Sequence, residues 1–133
     1  MAGETSLSTL LCSMSPQLNS GEYVFCTLPD AQLPTGLELI GSFREQEGLT
    51  VILKRSDAEQ AGLSFDYVAA WITLNVHSAL QAVGLTAAFA TALGKAGISC
   101  NVIAGYYHDH LFVGQADAER AMHVLRDLSA NAE

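Results

Sequence analysis

Positive charge is scarce in this sequence: six Lys and Arg stand against fourteen Asp and Glu, a formal charge of −8. The six are also scattered, at Arg44, Lys54, Arg55, Lys95, Arg120 and Arg126. Neutralising a phosphate backbone takes clustered Lys and Arg, so no nucleic-acid partner is expected. The same shortage argues against docking on an anionic membrane surface. Long apolar runs are missing as well. The most apolar helical stretch, Ala82 to Leu93, is broken by Gly84, Thr86 and Thr91 and falls short of the ~20 residues a membrane-spanning helix needs. The first residues carry Glu4 and several hydroxyls but no basic residue, so no signal peptide is indicated and a cytoplasmic location is expected. Cysteine is sparse: Cys12, Cys26 and Cys100 form no CxxC pair and sit among apolar neighbours, which suits free thiols in a reducing compartment rather than a zinc site. Also absent are GxSxG, P-loop, GxGxxG and HExxH motifs, so no recognised catalytic signature marks an enzyme and no cofactor is implied.

What is present is apolar patterning. Half of the 133 residues are hydrophobic and 15% are charged, enough for a continuous core in one domain or two very small ones. Leu7, Leu10, Leu11 and Met14 have helical spacing, and Ser15-Pro16 closes that helix. Asn19-Ser20-Gly21 is a turn signal, followed by a predicted strand over Tyr23–Leu28. Pro29 to Gly36 reads as loop. Strands are predicted over 39–43 and 49–54, the latter with Leu49, Val51 and Leu53 on one face. Ser56 and Glu59 form a capping box for a short helix from Asp57 to Ala61, stopped by Gly62.

The second half is clearer. Asp66 to Val76 is apolar on both faces, as in a central strand. Leu85, Ala88, Phe89, Ala92, Leu93 and Ala96 make one helical stripe closed by Gly97. Ile98–Gly105 is a strand, Tyr106–Asp109 a turn and His110–Gly114 a further strand. Asp117 caps a last helix with the stripe Ala118, Ala121, Met122, Leu125 and Leu128. The order β-α-β-β-α is that of a ferredoxin-like split-βαβ unit, and the first half offers a degenerate copy.

Within this frame Val83-Gly84-Leu85-Thr86-Ala87 and Gly97-Ile98-Ser99 resemble the ACT-domain signature: a Gly-hydrophobic-x-Ala helix start, then Gly-Ile-Ser leading into the next strand. The flanking EYVFCTLP, FREQEGLTVIL and HDHLFV are similar to small stand-alone bacterial tandem-ACT proteins of uncharacterised function. The resemblance covers nearly the whole chain. It implies an α+β fold of two tandem ferredoxin-like (βαββαβ) units with mostly antiparallel sheet, at 1–66 and 67–133. It further implies amino-acid binding, a regulatory rather than catalytic role, and a homodimer or intramolecular pair formed through exposed sheet edges. The first unit departs from the pattern, since Pro29–Gly36 stands where its first helix belongs. The second lacks an evident last strand, which leaves the early strand at Tyr23 to complete its sheet.

The candidate ligand site follows from the helix start. Gly84 allows close approach to the backbone, and the N–H groups of Leu85 and Thr86 suit an α-carboxylate. His77 and Ser78 precede them and could complete the pocket; as a plain alternative they form a strand-end turn. Asp109, or Asn101 through its carbonyl oxygen, could meet the ammonium group. A different reading makes His77, His108 and His110 the ligands of a metal, or pairs them with Cys100 as a nucleophile. Against this, Cys100 shares strand parity with Val102 and Ala104, as a core thiol would. His123, between Glu119 and Asp127 at i ± 4, reads as a solvated helix face. A third reading is a purely structural dimerisation module.

Overall fold

A computed structural model describes residues 6–30, 32–76 and 84–132. The chain is α+β and divides into two compact units. One is built from Met1–Ser20 together with Ala70–Glu133, the other from Gly21–Ala69.

The larger unit contains α1 (Leu7–Ser13), the first residues of β1 (Pro16–Leu28), β4 (Val68–Leu74), α3 (Leu85–Lys95), β5 (Cys100–Ala104), β6 (Asp109–Gly114) and α4 (Ala118–Ala130). Its strands run in the order β1-β4-β6-β5, so β5 is an edge. β5 and β6 pair antiparallel, from Cys100 opposite Val113 to Ala104 opposite Asp109. Strand alternation then sorts the side chains. Ala70, Ile72, Leu74, Leu111 and Val113 share a core with Leu85, Phe89 and Leu93 of α3 and Ala121, Met122 and Leu125 of α4. Both long helices therefore cover one face of this sheet. The stripe read in the sequence for α4 is the buried one, with Leu128 packed partly buried at its end.

The smaller unit holds the rest of β1, β2 (Leu39–Glu45), β3 (Gly48–Lys54) and α2 (Arg55–Gln60), with strand order β2-β3-β1. Tyr23–Leu28 pairs antiparallel with Leu49–Lys54. Val24, Cys26 and Leu28 meet Val51 and Leu53 on one face, and Ala58 of α2 packs on them. The alternation expected for β3 holds, except that Ile52 on the other face is also buried, at 3% exposed.

Three local expectations are corrected. Asn19-Ser20-Gly21 is not a turn but the middle of β1. The Asn19 amide nitrogen donates to the Trp71 carbonyl (3.2 Å) and to Thr73 Oγ1 (3.0 Å), so tertiary partners hold a turn-prone residue extended. The strand expected at Tyr23 is part of β1, which neighbours β4 as expected; the larger unit takes the residues of β1 before Gly21, and Tyr23 pairs with Lys54 in the smaller unit. Second, Ser56 does not cap α2. The helix follows β3 without a loop, Lys54 is its N-cap residue, and Glu59 instead takes Arg55 Nε at 3.3 Å. Third, Asp117 precedes α4 without a side-chain cap bond. Its Oδ1 accepts from Arg120 Nη2 (3.0 Å), while Arg120 Nη1 reaches the Ala96 carbonyl (2.9 Å) and ties α4 to the end of α3.

Candidate functional site

α3 starts in an unusual way. Its N-cap residue, Gly84, has φ 99° and ψ −19°, a left-handed conformation where most N-caps are extended. Among the described residues no side chain caps the helix, and no acidic residue stands in its first turn. The Ala88 N–H donates to the Gly84 carbonyl at 2.8 Å, so the amides of Leu85, Thr86 and Ala87 precede the first intrahelical bond. The Leu85 side chain is in the core at 3% exposed, so its amide alone can serve a ligand; Thr86 is exposed. A Cβ added to Gly84 would stand 3.1 Å from Leu7 Cδ2. The group that approaches this glycine closely is therefore an α1 side chain.

Topology sets which end of the sheet this helix start occupies. α3 leads into β5 at Cys100, which pairs with Val113. An 11-residue helix spans ~16 Å, about the length of five strand residues. Running back along β5, α3 begins towards the end where Ala104 faces Asp109. Asp109 has the parity of Leu111 and Val113, so it projects to the helix-covered face. Burial raises its carboxyl above the usual range, against the opposing pull of His110 and His108. Asn101 differs. It pairs with Phe112, has the parity of Ile103 and is exposed, so it stands on the opposite face from Asp109. The structure thus brings Gly84, Leu85, Thr86 and Asp109 to one end and one side of the sheet and leaves Asn101 outside. His77 and Ser78 lie outside the described residues.

The histidine turn has its own chemistry. His110 lies on the face away from the helices, its ring 5.8 Å from that of Trp71. Trp71 Nε1 is 3.1 Å from His110 Nδ1, and Thr73 Oγ1 is 3.2 Å from the same nitrogen. An indole N–H can only donate, so Nδ1 is the acceptor and the neutral ring carries its proton on Nε2. Thr73 Oγ1 in turn accepts from Asn19, which closes a chain of four side chains across β1, β4 and β6. Sequence reading missed this group. Its signal was the parity shared by Trp71 and Thr73 in an otherwise apolar strand. His108 is separate from it: its carbonyl takes the Gly105 N–H at 2.9 Å, and its Nδ1 is buried without a partner among the described residues. Among those residues no group of three or more His, Cys, Asp or Glu side chains is placed to hold a metal ion. Cys100 packs against the core and burial pushes its thiol up, away from the thiolate a nucleophile needs.

The Trp71 bond fixes a pH dependence. Burial, with His108 nearby, lowers His110 below its ordinary 6.5. The unfolded chain therefore takes the proton first, and stability present above pH ~6.5 is lost as pH falls below it. Asp109 works in the opposite sense: its raised carboxyl regains stability as pH falls towards 3.8. Trp71 is the one tryptophan in the sequence, so its fluorescence reports the first event. A transition with its midpoint below 6.5, absent in His110→Gln, is expected in a fluorescence titration; a midpoint at or above 6.5 would contradict the geometry.

Two ACT-domain family models match the chain, one over residues 2–70 and one over 67–127. No curated protein matches it. A solved structure of a protein of unknown function from Vibrio cholerae, described as a possible transport protein, is 51% identical with a TM-score of 0.83, covering 94% of this chain and 97% of that one. The regulatory subunit of aspartate kinase from Thermus thermophilus, in its ligand-free form, has a TM-score of 0.60 at 9% identity, with 89% and 98% covered. Aspartokinase alpha and beta subunits give 0.66 at 13%, with 85% and 95% covered. These last two likenesses are of fold alone. With one family model spanning more than half its length and a second following it, the chain belongs to the ACT-domain family and carries the domain twice in tandem.

Proposed function

We propose that this protein is a non-catalytic regulatory protein that binds an amino acid or a similar small zwitterion at the start of α3. The observation that carries the reading is the shared location of two complementary groups: helix-start amides at Leu85 and Thr86, without a side-chain cap among the described residues, and a half-buried carboxyl at Asp109 on the same side and end of the sheet. Helix-start amides and the helix dipole favour an α-carboxylate. A carboxyl that burial holds towards its neutral form gains most from a cation brought beside it, which suits an α-ammonium. His77 and Ser78 belong to the same proposal, as the segment leading into Gly84. Asn101 joins it only in a contact that reaches round the edge strand β5. The halves 1–66 and 67–133 are the two ACT units in chain order, with the first twenty residues built into the fold of the second. The acidic surface fits a cytoplasmic protein that engages neither nucleic acid nor membrane, and β5, as an edge strand, offers backbone for pairing in a homodimer.

A thermal-shift screen of the twenty amino acids tests the reading. A true ligand at 100 times its Kd should add about 2.7 kcal/mol, and Asp109→Asn should weaken its binding roughly tenfold, about 1.4 kcal/mol. No stabilisation by any of them at millimolar concentration would remove the reading.

A further inference from the structure

The smaller unit has a cleft of its own, of about 550 Å³, between the β1–β3 region and the segment leading into β4. That size is within the range of small-molecule sites, ~300–1,000 Å³. Its walls combine two phenyl rings, Phe25 and Phe65, two carboxylates, Glu45 and Asp66, and the hydroxyls of Thr27 and Thr50. Among the described residues no Lys, Arg or His lines it.

Among the described residues no ion pair balances the two carboxylates of the cleft. Arg55 stands at one wall, with its guanidinium carbon 5.6 Å from the centroid of the Phe65 ring. That cation is already matched: Nη1 is 3.1 Å from Glu22 and Nε 3.3 Å from Glu59. Arg44, which precedes Glu45, lines an adjoining cleft with Asp30 that Glu45 also borders, and it does not line the cleft with the phenyl walls. Thr50 donates its hydroxyl to Glu45 Oε1, which fixes that carboxylate at the cleft and leaves acceptor positions on it.

We infer that this cleft is a second ligand site, separate from the α3 start, and that it takes a small organic ammonium ion. Aromatic faces attract a soft, weakly hydrated cation, and carboxylates with hydroxyls accept its N–H groups. A hard metal ion would gain nothing from the phenyl walls, and an anion would meet uncompensated negative charge. Arg55 over Phe65 is the protein's own instance of a cation held on one of these rings.

Titrating the full-length protein with n-butylammonium at physiological salt, followed by amide NMR, tests this, with butanol as the uncharged isostere. Saturable shifts centred on Thr27, Thr50 and Phe65 are expected with the ammonium and not with butanol. Glu45→Gln with Asp66→Asn should weaken binding about tenfold, as should Asp66→Asn alone to a smaller degree. Glu119→Gln, an exposed acid on α4 in the other unit, should leave it unchanged. Equal shifts with butanol, unsaturable shifts spread over the acidic surface, or well-folded variants that bind as the wild type would each overturn the inference.

Discussion

Phe89→Ala should remove about 3–5 kcal/mol of stability, a large part of the 5–15 kcal/mol that holds a typical domain together. Phe89 is 0% exposed. It sits mid-helix between Leu85 and Leu93 on the buried stripe of α3, in a core shared with Leu111, Val113 and Met122. Truncation forfeits the transfer energy of the ring and leaves a cavity that a sheet and two helices cannot close by small movements. Urea unfolding reads the effect as a lower midpoint with an unchanged slope. Phe43→Ala is the matched control. Phe43 is 72% exposed, so removing the same ring there should change stability by no more than about 0.5 kcal/mol. Equal losses at the two sites would mean that α3 is not seated on the sheet as described.

Gly84→Ala comes next in size, and its sign is the informative part. At a helix start with ordinary dihedrals, Gly→Ala stabilises by about 0.4–1 kcal/mol through the unfolded chain. Here φ is 99°, a left-handed conformation that costs an L-residue about 1–2 kcal/mol. The new methyl would also press on Leu7 Cδ2 at 3.1 Å, so α1 has to give way. The expected result is a net loss of about 1–2 kcal/mol or more, partly recovered when Leu7→Ala is added, as contacting sites couple. A neutral or stabilising Gly84→Ala would show that the helix starts in another conformation.

The α3 stripe, the alternation of β3 and the α4 stripe were legible because burial on one face writes a period of 3.6 or 2 into the sequence. The ACT-type order followed from them and from the Gly84 and Gly97 signatures. What sequence reading lost was set by contacts distant along the chain. Asn19-Ser20-Gly21 has every local mark of a turn, and the bonds of the Asn19 side chain to Trp71 and Thr73 help to hold it in β1. Ser56 and Glu59 have capping-box spacing, but β3 runs into α2 without the loop a cap residue needs. In the candidate site, Gly84, Leu85, Thr86 and Asp109 were legible as separate residues. Their common end of the sheet follows from the register of β5 and β6, as does the separation of Asn101 from Asp109, and a register is a pairing between strands that one strand's sequence does not specify.

The most direct measurement of the central claim is amide NMR of the full-length protein against each of the twenty amino acids at millimolar concentration. The expected result is that at least one gives saturable shifts at Leu85, Thr86 and the Asp109 end of β6, and that Asp109→Asn weakens them. If no amino acid moves those amides, or if the shifts fall only within Gly21–Ala69, the α3 start is not the ligand site.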